Sequence, residues 1–296
     1  MTLSELVAQA TQQLTDAKVS FGHGTTNARD EAAWLVLHAL GLPLDTPLDA
    51  DDLESNLPVA HEEYARAATL LGARISTRKP AAYLTNEAWL QGVSFYVDER
   101  VIVPRSLIAE QLVDGSIDYW LKESTHRVLD LCTGNGSLAV LAAMVYPEVQ
   151  VTGADISTDA LAVARINVDK HQLAERVQLV ESDGLTIVPG PFDLILCNPP
   201  YVNAQSMAAL PAEYLAEPFI ALDGNQSGGS GDGMDFVRML LKQAPAHMAN
   251  DAVLVLEIGN ERPFFEAAFP DLEVVWLETS AGEDQVLLVT KEALLL

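Results

Sequence analysis

Cysteine is scarce: the 296-residue chain has two, Cys132 and Cys197, too few for a disulfide framework. Each falls near the end of an apolar run, where a reduced thiol packs as a small hydrophobe. No Cys and His spacing suggests a zinc site, so no metal is expected. Basic residues are also sparse, 17 Lys and Arg against 42 Asp and Glu, for a formal charge of −25. That deficit argues against a nucleic-acid substrate, whose binding rests on cations that neutralise phosphates. It would steer a basic protein partner toward the chain instead. Long apolar runs are missing as well. The longest, near residues 138–146, falls far short of the roughly 20 residues needed to cross a bilayer. The start, MTLSELVAQA, carries Glu5 and no basic leader. A cytoplasmic protein with no membrane span is expected.

With 49% hydrophobic residues, the chain can fill the cores of one large domain and a small one. Residues 1–84 read as a helical bundle. Thr2 to Glu5 makes a capping box ahead of Leu3, Leu6, Val7, Ala10 and Leu14 at helical spacing; Asn27 caps a second helix that ends at Gly41; a third runs from about His61 to Ile75. Residues 85–105 read as a β-hairpin linker built from AWL, SFYV and RVIVP, and a helix is expected from about Leu107 to Trp120. Within 106–296, apolar runs at 127, 149, 176, 192 and 252 alternate with helical stretches near 137–146, 158–172 and 234–247. That alternation predicts a parallel sheet with helices on both faces. The runs LEVVWLET and EDQVLLVT are joined by a turn at Ser280 to Gly282, too short for a parallel crossover, so the last pair is antiparallel. The expected fold class is α/β, a Rossmann-like seven-stranded sheet behind a small helical domain, an arrangement that resembles the class I methyltransferases. The glycine-rich segment 223–233 reads as a mobile loop.

The chemistry centres on Asn198-Pro199-Pro200-Tyr201, which follows the apolar run FDLILC. Two prolines cannot continue a central ladder, so the tetrapeptide sits at a strand's carboxyl end, where open α/β sheets bind ligands. Its Asn198 side-chain oxygen and proline carbonyls are acceptors suited to a planar NH2 group with two protons to donate. An amide nitrogen is a poor nucleophile because resonance draws its lone pair into the carbonyl. Two fixed acceptors orient it and stabilise the charge that grows on it during methyl transfer, and Tyr201 offers a π-face near that charge.

A second constellation precedes it. Asp130-Leu131-Cys132-Thr133-Gly134-Asn135-Gly136 closes the first strand of the sheet and opens a helix, with Gly134 and Gly136 permitting close approach of a ligand. Asp155 ends the second strand, placed for ribose hydroxyls, and Asp183 ends the third, placed for an adenine edge. Acids and a glycine loop at consecutive strand ends, followed by Asn198, imply S-adenosylmethionine as cofactor.

The chain resembles the bacterial glutamine methyltransferases that modify protein side-chain amides, most closely the branch acting on large-subunit ribosomal protein L-three. The segments that carry the likeness are FGHGT (21–25), AYLTNEAW (82–89), FYVDERVIVPRS (95–106), DLCTGNG, NPPY and LPAEYLAEP (210–218). The resemblance implies that Cys132 to Gly136 and Asp155 hold the cofactor, that Asn198 lies between cofactor and substrate, and that Asn198 to Tyr201 bind the glutamine amide. It implies the basic ribosomal protein as partner. Two alternatives keep the same chemistry: a release-factor glutamine, or the adenine amino group of a nucleic acid. Where related release-factor enzymes carry an aromatic after the third-strand acid, this chain has Gly184.

Overall fold

The computed structural model describes residues 1–48, 56–225 and 229–296. Four helices open the chain: α1 (Leu3–Asp16), α2 (Ala28–Leu40), α3 (His61–Thr77) and α4 (Ala81–Thr85). Thr2 and Glu5 form the capping box of α1, the Asn27 side chain accepts from the Asp30 amide, and Gly41 ends α2 at a φ of 72°. Only glycine takes that left-handed conformation without a steric cost. Helix α4 is five residues long, too short for a period to show in sequence.

Strands β1 (Ala88–Leu90) and β2 (Val93–Phe95) form the expected hairpin, turning through Gln91 and Gly92, both at positive φ. The expected strand over RVIVP is not formed. Its alternation reflects burial of Val101 and Val103, not pairing. Side chains engage this backbone instead: the Tyr83 hydroxyl donates to the Val101 carbonyl, Asn86 Nδ2 to the Val97 carbonyl, and the Val103 amide to Glu217. The helix expected over 107–120 is also shorter. It is α5 (Ile108–Val113), interrupted before Gly115 at a φ of 74°, followed by a 3-10 turn at Asp118–Trp120.

The remaining elements are β3 (Arg127–Leu131), α6 (Ser137–Val145), β4 (Gln150–Asp155), α7 (Thr158–Lys170), β5 (Val177–Glu181), β6 (Phe192–Cys197), α8 (Ala204–Ala209), α9 (Asp235–His247), β7 (Met248–Glu257), α10 (Arg262–Ala268), β8 (Val275–Thr279) and β9 (Gly282–Thr290). The seven-stranded sheet runs β5-β4-β3-β6-β7-β9-β8, and β9 is antiparallel to both neighbours while the other pairs are parallel. The fold is therefore the α/β class I methyltransferase sheet read from the alternation of runs.

Neighbouring strand residues enter opposite cores. Val128, Leu194, Leu196, Val253 and Val255 pack with α5 and α6, whereas Leu129, Leu131, Ile195, Leu254 and Leu256 pack with α9 and Phe265. Burial on both faces is why these strands read as continuous apolar runs. The core of the N-terminal helices continues through Val97, Val101 and Val103 to Ala160 and Val163 of α7. The helical region is thus seated on the sheet domain through the linker. Among the described residues no helix is long and apolar enough to cross a membrane.

Candidate active site

Register places the site. Leu131 pairs with Ala154 on one side and Cys197 on the other, and Cys197 pairs with Leu256, so β4, β3, β6 and β7 end at one edge of the sheet. From β3 the chain turns at once: Cys132 has a φ of 60°, Gly134 of 55° and Gly136 of 80°. The loop is held from beneath. Asp130 Oδ2 accepts from the Thr133 hydroxyl and from the Ala139 amide at 2.9 Å, and Asp155 Oδ2 accepts from the Gly134 amide at 2.9 Å. A Cβ at Gly136 would lie 3.1 Å from Ala164 Cβ, so glycine there lets α6 start against α7.

Burial pushes the Asp130 carboxyl up to about 7 despite its two donors, and it raises Asp155 as well. The neighbouring Cys197 thiol and the apolar surroundings hold the half-buried Cys132 thiol protonated, well above its ordinary range.

The NPPY turn follows β6. Asn198 is half-buried, and its side chain makes no hydrogen bond to any described residue, leaving both ends of the amide available. Tyr201 is turned away from the cavity: its hydroxyl lies 3.5 Å from Glu257 Oε1, and its ring sits where a Cβ on Gly259 would come within 2.7 Å. Glu257, 4% exposed at the end of β7, also accepts from the Ser106 hydroxyl at 2.5 Å and the Leu107 amide at 2.9 Å. It fixes the back of the turn to the segment that leads into α5.

The described part of the glycine-rich segment is a brace, not the free loop its composition suggests. The Gly224 amide donates to the Val202 carbonyl at 3.2 Å, Asn225 Nδ2 donates to the same oxygen at 3.1 Å, and the Gly233 amide donates to Asn225 Oδ1 at 2.9 Å. A Cβ at Gly233 would lie 2.1 Å from the Tyr201 carbonyl oxygen. Glycine is needed because backbone crosses backbone there. Residues 226–228 of that segment lie outside the described residues.

A cavity of about 350 Å³ opens across these strand ends, a size suited to a small-molecule ligand. Of the residues expected to hold a cofactor, Cys132, Thr133, Gly134, Asn135, Asp155, Asp183 and Asn198 line it; Asp130 and Gly136 do not. Asp130 lies 1% exposed under the loop and shapes it from below. Of the four residues expected at the substrate, Asn198 and Pro200 line the cavity, while Pro199 and Tyr201 stand behind it.

One free donor and a carboxylate with acceptor capacity to spare fit a ribosyl and amino-acid ligand. Asn135 Nδ2 is buried without a partner, and each Asp155 oxygen accepts one backbone amide, from Gly134 or Ser157, leaving a lone pair for a hydroxyl. Ile156 and Phe236 add apolar walls. Gly184 is left-handed at a φ of 54°, and Met239 Cε would lie 2.9 Å from a Cβ there. A side chain there would be strained by the positive φ, and Phe236 of α9 places a ring on the cavity wall.

The sequence assigned no role to one further cluster. Glu217, 4% exposed, takes a two-pronged ion pair from Arg105 and faces His23 Nε2 at 3.6 Å. Glu213 reaches Arg74 and Arg78, and Arg74 also pairs with Glu31 at 2.7 Å. Burial alone would raise Glu217, but Arg105 and His23 bring it down to about 2. His23, Arg105, Glu213 and Glu217 belong to FGHGT, VPRS and LPAEYLAEP, so the distant segments of the resemblance meet at one place. The visible signal was charge placed inside otherwise apolar or proline-bounded stretches.

A family model, the methyltransferase small domain, matches residues 117–221. In fold, the chain is similar to the hMettl16 catalytic domain solved in complex with MAT2A 3'UTR hairpin 6, with a TM-score of 0.51 at 14% identity over 80% of this chain and 84% of that one. The ribosomal protein uL3 glutamine methyltransferase of Bordetella pertussis is 50% identical, with 99% of this chain and 96% of the relative covered. That of Neisseria gonorrhoeae is 46% identical over 99% and 96%. With half of its residues shared along nearly its whole length, the chain belongs to the family of ribosomal protein uL3 glutamine methyltransferases.

Proposed function

We infer that this chain transfers a methyl group from S-adenosylmethionine to the side-chain amide nitrogen of a glutamine in ribosomal protein uL3, acting in the cytoplasm. The observation that carries the reading is the unpartnered Asn198 amide on the wall of the cavity whose other walls are the Cys132–Asn135 loop and Asp155. When bound, S-adenosylmethionine would supply an electrophilic methyl carbon to the amide nitrogen, with the thioether as leaving group. Asp155 would accept from the ribose hydroxyls, and Asn135 Nδ2 would donate into the cavity. Asn198 Oδ1 and a carbonyl of the Pro199-Pro200 pair would each accept one amide proton, fixing the nitrogen plane and directing its electron density at the methyl group. No described backbone group occupies either proline carbonyl. The nitrogen becomes a protonated amide, a strong acid that loses its proton without a dedicated base. Pro199 and Tyr201 act in shaping the turn, and the helical residues 1–84 serve to dock the protein substrate.

The test supplies labelled S-adenosylmethionine with purified uL3, a release factor and ribosomal RNA in separate reactions, then locates the label by fragment mass spectrometry. Label on a uL3 glutamine is expected. Label on the release factor alone would overturn the substrate, and label on RNA would overturn the chemistry as well.

A further inference from the structure

Arg105 stands at the mouth of the cavity with 27% of its side chain exposed. It is held more firmly than a surface arginine. Nη1 donates to Glu217 Oε1 at 2.6 Å and to the Val103 carbonyl at 3.0 Å, and Nη2 donates to Glu217 Oε2 at 2.8 Å. The guanidinium lies over the Tyr214 ring, 5.5 Å from its centroid, and His23 packs against that ring at 4.3 Å. Tyr214 is close enough to the 21–25 segment that a Cβ on Gly22 would lie 2.5 Å from its hydroxyl. His23 is 1% exposed, and neither ring nitrogen makes a hydrogen bond; its nearest charge is Glu217. Three segments remote in sequence therefore fix one guanidinium plane.

The arrangement leaves Nε–H and the second Nη2 hydrogen of Arg105 without a partner among the described residues. A guanidinium already neutralised by a carboxylate is poorly suited to another anion, because Glu217 would repel it. A neutral acceptor fits. Building on the function proposed above, we propose that Arg105 is a specificity-determining residue that donates to a main-chain carbonyl of the substrate polypeptide beside the target glutamine, with Glu217 as its positioning residue and His23 bracing the pair from the helical region. Every polypeptide offers such a carbonyl, whereas a free glutamine offers only a carboxylate, so the contact selects glutamine within a chain.

Arg105→Lys tests this, since lysine keeps the charge but not the planar fork. Loss of a hydrogen bond to a charged group predicts a rise of about 10- to 100-fold in KM for uL3. Most of kcat at saturation and the calorimetric Kd for S-adenosylmethionine should be retained. Glu217→Gln should move KM the same way by releasing the guanidinium, and cofactor affinity in both variants reports that the fold is intact. An unchanged KM, or a loss confined to cofactor affinity, overturns the proposal; the latter would assign Arg105 to the cofactor's carboxylate. Wild-type enzyme assayed alongside separates the two readings: failure of wild type on uL3 removes the substrate and this contact together, whereas normal wild-type turnover with an unaffected variant removes only the contact.

Discussion

Asn198 carries the sharpest expectation at the scale of single residues. Asn198→Ala removes one of two fixed acceptors, which should slow transfer about 100- to 1,000-fold. Single-turnover rates at saturating S-adenosylmethionine check this, with cofactor affinity largely retained. Asp130 is different, because it acts beneath the loop. Its carboxyl is raised by burial to about 7, so the folded state favours the protonated form. The stability this contributes is complete below the carboxyl's ordinary value near 4 and is lost as pH rises through about 7. Asp130→Asn, which cannot ionise, should remove that part of the slope in denaturation measured from pH 4 to 8. Asn198 and Asp155 were legible because each stops an apolar run. His23, Arg105 and Glu217 were not, because each derives its meaning from partners up to 194 positions away, as Glu217 does from His23.

Between elements, a buried ion pair joins α2 to α3. Arg74 is fully buried and donates to Glu31 at 2.7 Å and to the Ser20 carbonyl at 2.8 Å, with Glu213 at 3.4 Å beyond. Arg74→Met leaves the buried Glu31 carboxylate without its ion-pair partner, while Glu213 keeps Arg78 and the Ser20 amide, and should destabilise the protein by about 3–5 kcal/mol, read from the midpoint of chemical denaturation. The elements themselves were mostly readable. Caps announced α1 and α2, and the alternation of apolar runs with helical stretches announced the sheet. What failed was RVIVP, where alternation with period two marked burial of Val101 and Val103 while the hydrogen bonds went to side chains of α4 and to Glu217. The glycine-rich segment misled for a related reason. Gly224 and Gly233 answer to a steric crossing at the Tyr201 backbone, and no local property of the segment shows that.

At the scale of the whole molecule, the charge of −25 sets how a substrate arrives. Attraction between an acidic enzyme and a basic protein is screened over about 8–10 Å at physiological ionic strength. The KM for uL3 should therefore climb with added salt while kcat changes little, in steady-state assays across a salt series. A different consequence follows from the locked register of β3, β6 and β7, in which Leu131 lies beside Cys197 and Cys197 beside Leu256. Adjacent strands stand about 4.8 Å apart, so the spacing between the Cys132–Asn135 loop and the NPPY turn is set by the sheet. Under the proposed function the sheet would then work as a gauge of side-chain length. Asparagine presents the same amide on a stem shorter by one carbon, about 1.5 Å, and a misplacement of about 1 Å can cost about 100-fold in rate. A uL3 variant with asparagine at the target position should remain almost unmethylated, although it offers the NPPY turn the same two protons.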